Sequence, residues 1–159
     1  MNRVDNVFYW LPCAVVFVST THGDKRDIMT ANAMFVSEKE PLLAISVAQD
    51  HLTDQLIRQS GRFTLVIAGE GQQKLAAQAG SSKGEQIDKF EQFSIKTINS
   101  DENEALVPEG SAAWMACEVE SSQDIKGYRI YIGRVVDQQD LNVSPLVWQK
   151  DAYFSLKQV

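Results

Sequence analysis

Only two cysteines and two histidines occur among the 159 residues, and basic side chains are outnumbered by acidic ones, 15 to 21. Cys13 and Cys117 form no CxxC pair, and no histidine stands at ligand spacing from either. A zinc or iron–sulfur site is therefore not expected. Two buried, reduced thiols are the simpler reading, since a redox pair would need their strands to be neighbours. The charge balance, −6 with a sequence pI near 4.9, argues against a nucleic-acid partner and against an anionic membrane surface. No apolar run approaches the ~20 residues of a membrane helix. The amino terminus, MNRVDNVFYWLPC, is interrupted by Asp5 and Asn6 and lacks the pattern of a cleaved leader. A cytoplasmic protein is the expectation. Absent too are GxGxxG, a P-loop and a GxSxG elbow, which leaves Rossmann, P-loop and hydrolase readings without support.

What is present is β-rich. One domain over 1–159 is the expectation at this length, with enough chain to bury its own core. AVVFVST, from Ala14 to Thr20, is β-branched and aromatic, and Gly23-Asp24 supplies the turn of a hairpin that returns through Ile28 into MTANAMFVS. LLAISVA follows Pro41. In QDHLTDQLIRQSGRF, Leu52, Leu56 and Ile57 share a helical face, Asp50 or Thr53 is a candidate cap, and Gly61 closes the helix. FTLVIAG is another strand, and a second helix is expected between Gly71 and Gly80. One helical turn is expected around Ile87 to Phe90. The acidic residues Asp101, Glu102 and Glu104 read as a solvated loop. Two strands then flank a turn at Lys126-Gly127, and PLVWQKDAYFSL is a final extended segment. Short connections favour antiparallel pairing, so the predicted fold is a mainly β, antiparallel barrel carrying a few short peripheral helices.

Within this pattern MTANAMF stands out. Thr30, Ala31, Asn32 and Ala33 are small or hydrogen-bonding where a core strand would carry bulk. Such a stretch admits a flat ligand close to the backbone, with a hydroxyl and an amide for its polar edge. The bland alternative is that Thr30 and Asn32 only satisfy backbone groups in a turn.

The order and spacing of MTANAMF, EPLLAISVAQDHLTDQLIRQSGRFTLVIAG, the DKF of Asp88 to Phe90, GYRIYIGRVVD and PLVWQKDAYF resemble the flavin reductase-like, FMN-binding split-barrel family. The likeness runs from Pro12 to Leu156. It implies a split barrel that forms a homodimer, with FMN (FAD possible) in sites between the subunits. It places Thr30 to Ala33 along the isoalloxazine edge. Ser46, Val47, Ala48, His51 and Thr53 fall in the segment along the ribityl chain and phosphate. Lys89 and Phe90, with the polar loop before them, help close the pocket. Tyr153 or Trp148 matches an aromatic near the flavin or nicotinamide.

Each of these has a plainer reading. Thr53, near a helix start, suits a phosphate, and His51 would add charge if protonated. Asp50 departs from the serines that many family members carry, and its carboxylate is better used as a cap. Lys89 is the best cation for a phosphate or a reduced flavin, although a single lysine on an acidic protein is usually solvated. Phe90 covers the ring or fills core. His22 is expected to be exposed. Trp114, Tyr128 and Tyr131, at β spacing, suit core or dimer interface better than a stacking platform.

The function implied is an FMN-binding NAD(P)H:flavin oxidoreductase that passes electrons to free flavin, a partner oxygenase or another acceptor. Such an enzyme needs no acid–base dyad of its own, only a held cofactor and a stacked donor. Some flavin reductases of the family carry a histidine in the C-terminal aromatic segment, and WQKDAYFSL has none. A non-catalytic flavin carrier or sensor is therefore the alternative.

Overall fold

The computed structural model describes residues 5–98 and 105–159; the acidic residues Asp101, Glu102 and Glu104 lie outside them. Six strands close into an antiparallel barrel. They are β2 (Val16–His22), β3 (Lys25–Ser37), β4 (Leu42–Ala48), β5 (Arg62–Ile67), β6 (Ala113–Ile125) and β7 (Tyr128–Asp140), in the order β2-β3-β4-β7-β6-β5. A small second sheet joins β1 (Cys13–Ala14), β8 (Leu146–Gln149) and β9 (Ala152–Ser155). Among the described residues three helices, α1 (Leu52–Ser60), α2 (Gln73–Ser81) and α3 (Lys89–Gln92), lie between β4 and β6 in the chain, and a 3-10 turn spans Val7–Trp10.

Strand β2 explains the two cores. Its alternate residues point to opposite sides. Val16 and Val18 join Met29, Ile45, Val47, Leu65, Cys117 and Tyr131 in one apolar cluster. Phe17 packs on the other side with Ile28, Val66, Ala76, Ala79, Phe90 and Trp114. Because α2 and α3 cover the outer face, β2 is apolar on both sides, which is why AVVFVST reads as a continuous run rather than an alternation. In β7 the inward set is Tyr131 and Gly133, while Ile130 and Ile132 are only partly buried. A Cβ on Gly133 would stand 2.6 Å from Phe63 Cζ, so the interior admits no side chain there.

Several local expectations hold. Gly61 caps α1 with φ 71° and donates to Ile57 O, and Lys126-Gly127 forms the two-residue turn that pairs Ile125 with Tyr128. Others are corrected. The N-cap of α1 is His51, without a side-chain cap bond, so Asp50 does not cap; its carboxylate lies 3.8 Å from His51 Nε2. Gly80 does not close α2, which runs on to Ser81; it faces Thr30 of β3, where a Cβ would stand at an ordinary contact distance of 3.4 Å. The C-terminal segment is a hairpin rather than one strand, because Lys150 and Asp151 adopt φ 51° and 59° and turn β8 back into β9.

Two buried groups carry a pH consequence. Burial pushes the Cys117 thiol from 9.0 up to about 12. Burial, and then a hydrogen bond to Asp54, raises the Tyr131 phenol from 10.0 to about 12. Both groups hold their protons longer folded than unfolded, so the unfolded chain binds fewer protons through this window. Their contribution is complete below about pH 9 and is lost as pH rises toward 12. Denaturant midpoints measured from pH 8 to 11 should fall steadily, and Cys117→Val should make the early part of that fall shallower.

Candidate functional site

Thr30, Ala31 and Asn32 of β3 line a cavity of about 540 Å³ with Cys13, Ala14 and Val15, the aromatics Trp148 and Tyr153, Phe8 of the 3-10 turn and Leu11 just after it. Three elements meet there because β1 pairs with β8, putting Cys13 opposite Trp148, and β8 pairs with β9, putting Trp148 opposite Tyr153. The amino-terminal wall of Phe8, Leu11 and Cys13 is an addition to the sequence reading. A hydrophobic residue near the chain start shows no sign of its partner until that sheet forms.

The polar edge of the cavity is specific about hydrogen bonding. Thr30 Oγ1 donates its proton to Ala76 O at 2.6 Å. Its remaining capacity is to accept, which suits a ligand N–H. Asn32 is exposed, and its amide can both donate and accept. Ala31 and Ala33, on the opposite parity, pack against the barrel interior. Ala31 therefore borders the cavity with its backbone rather than its side chain. A shallow, mostly apolar slot with an acceptor and an amide on one edge fits a planar heterocycle with a polar rim. The fit to an isoalloxazine ring rests on these features.

The phosphate side differs from expectation. Ser46 pairs with Asn32 across β3 and β4 and is partly buried on the outer face, whereas Val47 is fully buried inside the barrel. The Val47 side chain is thereby removed from a ligand-contacting role. Ala48 and His51 are half-buried and do not line the cavity. Thr53 is also fully buried, and its hydroxyl donates to Asp27 Oδ2 at 2.6 Å rather than facing outward. Lys89 is no solvated cation. It is 2% exposed, donates to Ile28 O at 2.7 Å, and its ammonium stands 3.2 Å from Asp27 Oδ1. Burial and partners alike turn Lys89 away from an open phosphate. Phe90 fills core at 3% exposure, with the Arg26 guanidinium 4.8 Å above its ring.

These residues instead form the scaffold behind the cavity. Asp27, three residues before Thr30, ties β3 to α1 through Thr53 and to α3 through Lys89, whose ammonium also reaches Ala79 O of α2 at 3.4 Å. The carboxylate leaves no room for a side chain at Gly84, where a Cβ would come within 2.5 Å of Asp27 Oδ1. Next door, Arg26 pairs with Asp88 at 3.0 Å, and Asp88 caps α3 by accepting from the Phe90 and Glu91 amides. On its other side α1 is held by Asp54, whose carboxylate accepts from Arg129 at 2.7 Å, Tyr131 at 2.5 Å and Arg58 at 3.2 Å. Two successive residues of the first turn of α1 thus anchor it to β3 and β7.

Elsewhere, His22 is exposed, as expected, and among the described residues no group of three or more His, Cys, Asp or Glu side chains could hold a metal ion. Cys13 and Cys117 are both free thiols. No helix among the described residues is long and apolar enough to cross a membrane. Trp114 and Tyr131 are buried, whereas Tyr128 is 53% exposed.

Comparison with known proteins adds a family to this geometry. An uncharacterised Escherichia coli protein, YddH, is 30% identical over 110 residues, which is 68% of this chain and 58% of YddH. The match thus spans little more than half the length of that curated relative. Among solved structures, the fold is similar to the NADH:FAD oxidoreductase SgcE6 of Streptomyces globisporus, with TM-score 0.85 and 21% identity over 96% of this chain and 90% of that one. It is also similar to a flavoredoxin from Methanosarcina acetivorans, with TM-score 0.86 and 17% identity over 100% and 92% of the two chains. At such identities these likenesses establish the antiparallel split barrel. The family described as flavin reductase like domain matches residues 8–157, and the chain therefore belongs to the flavin reductase-like family.

Proposed function

We propose that the protein binds FMN and oxidises NAD(P)H, passing the electrons to free flavin or to a partner protein such as an oxygenase. The observation that carries this reading is the cavity at Thr30 and Asn32, where an acceptor and an amide edge an apolar slot roofed by aromatic residues. Thr30 and Asn32 would hold the polar rim of the ring, Ala31 would allow its close approach, and Tyr153 and Trp148 would shield it from water. The flavin supplies the two-electron chemistry when bound. The chain supplies orientation, water exclusion and space for a donor ring to stack, and neither His22 nor His51 is needed as an acid or base.

The phosphate would lie toward the start of α1, near His51, with Ser46 and Ala48 along the way. Thr53 and Lys89 would act there by fixing the helix and the closing segment rather than by touching the ligand. A homodimer is part of the proposal. Met34 and Phe35 at the far end of β3 are 68% and 70% exposed, an apolar surface suited to a second subunit. A cytoplasmic location remains the expected one.

The test is an assay of purified protein with FMN or FAD and with NADH or NADPH, following loss of nicotinamide absorbance. Oxidation well above the protein-free rate is expected. Tight flavin binding without donor oxidation would favour the carrier alternative, which the absence of a histidine in WQKDAYFSL supports. A monomer by light scattering would remove the shared-site arrangement.

A further inference from the structure

The amino-terminal turn Val7–Trp10 forms an outer wall of the cavity, yet none of its residues is buried. Phe8 and Leu11 line the cavity and are still 54% and 64% exposed, so one side of this wall stands in water. Its backbone bonds are local, Tyr9 N to Asn6 O and Leu11 N to Phe8 O. The links across to the rest of the molecule are made by side chains, and they converge on one place. Tyr9 OH donates to Asp151 Oδ2 at 2.6 Å, and the Tyr9 ring meets Trp148 edge-on at 6.4 Å. Lys150 Nζ lies 4.6 Å from the Trp10 ring centroid. Lys150 and Asp151 are the two positive-φ residues of the β8–β9 turn. Asn6, at the base of the segment, is also in the left-handed region with φ 56°, a bend that can serve as a pivot.

We infer that Val7–Leu11 is a strap over the cavity, latched to the β8–β9 turn by Tyr9–Asp151 and Trp10–Lys150, and that its opening admits and releases the flat ligand. A segment with no buried apolar residue and a few surface links opens at a small fraction of the global unfolding free energy. Opening would carry Phe8 and Leu11 away together, because they flank the two latching aromatics. The cavity would then face solvent along the Cys13 side. The identity of the ligand rests on the flavin reading above; the movement does not.

Cys13 reports on the strap without any ligand. It lines the cavity, and its thiol donates weakly to Leu11 O at 3.3 Å, so the strap lies directly beside it. Cys117 is buried with a thiol raised to about 12 and stays silent. The experiment is the rate of Cys13 modification by an aromatic disulfide reagent in wild type, Tyr9→Phe and Lys150→Met, with and without FMN. Loss of one exposed hydrogen bond should speed labelling by roughly threefold to tenfold in Tyr9→Phe. Loss of the cation over Trp10 should speed it about twofold to fivefold in Lys150→Met. Thermal midpoints should be unchanged, and FMN should slow labelling in all three. Equal labelling rates in the three proteins would overturn the strap. Faster labelling in both variants without protection by FMN would uphold the strap and overturn the flavin assignment.

Discussion

Lys89→Met should destabilise the protein by about 3–5 kcal/mol, the usual consequence of leaving one partner of a buried ion pair uncompensated. Lys89 and Asp27 are each 2% exposed, and after the substitution the Asp27 carboxylate would keep only the Thr53 hydroxyl among its present partners. Ile28 O would also lose its 2.7 Å donor. Urea titration would read the loss as a lower midpoint. Adding Asp27→Leu should recover a large part of it, since removing both charges avoids the orphaned carboxylate. If Lys89 were instead a solvated lysine facing a phosphate, the single substitution would change stability by less than about 0.5 kcal/mol and would weaken flavin binding alone. The opposite order of effects thus separates the scaffold role from a ligand-contacting one.

Asn32→Trp should abolish flavin binding while leaving the fold intact. Asn32 is exposed on β3, pairs with Ser46 through the backbone ladder, and borders the cavity. An indole there occupies volume that a planar ring would need and removes the amide from its edge. The dissociation constant for FMN, measured by fluorescence titration, should rise at least about a hundredfold, equivalent to roughly 2.7 kcal/mol. The denaturant midpoint should move by no more than about 0.5 kcal/mol. Unchanged affinity would place the flavin away from this face of β3.

The parts of the molecule that local chemistry encodes were legible in the chain. Gly61 ends α1 because only the left-handed region continues the backbone there, and Lys126-Gly127 makes the β6–β7 turn for a related reason. The barrel itself follows from short connections and β-branched runs. The β8–β9 hairpin was not legible, since Lys150-Asp151 carries positive φ without glycine or asparagine to announce it. Site residues divide along the same line. Thr30, Asn32 and Tyr153 were recognisable as a polar edge and an aromatic, and the structure brings them to one cavity. The roles of Thr53 and Lys89 depend on Asp27, which lies 26 residues before Thr53, and no spacing rule links the three. Charge statistics put a lysine outside, and tertiary pairing with Asp27 overrides them. Phe8 and Leu11 come to the cavity through the pairing of Cys13 with Trp148, a contact between the two ends of the chain.

The cavity and the scaffold behind it meet at one residue. Thr30 touches both, because its hydroxyl donates to Ala76 O of α2 while the residue also lines the cavity. The donor direction of the Thr30 hydroxyl is thus set by its bond to the α2 backbone.

The most direct measurement is a crystal structure of the protein soaked with FMN. The ring should lie in the cavity of Phe8, Cys13, Trp148 and Tyr153, with a ring N–H donating to Thr30 Oγ1 and the Asn32 amide on its polar edge. Density for the ring elsewhere, for instance in the separate cavity of about 460 Å³ at Ser19, Thr64 and Glu118, would contradict the account.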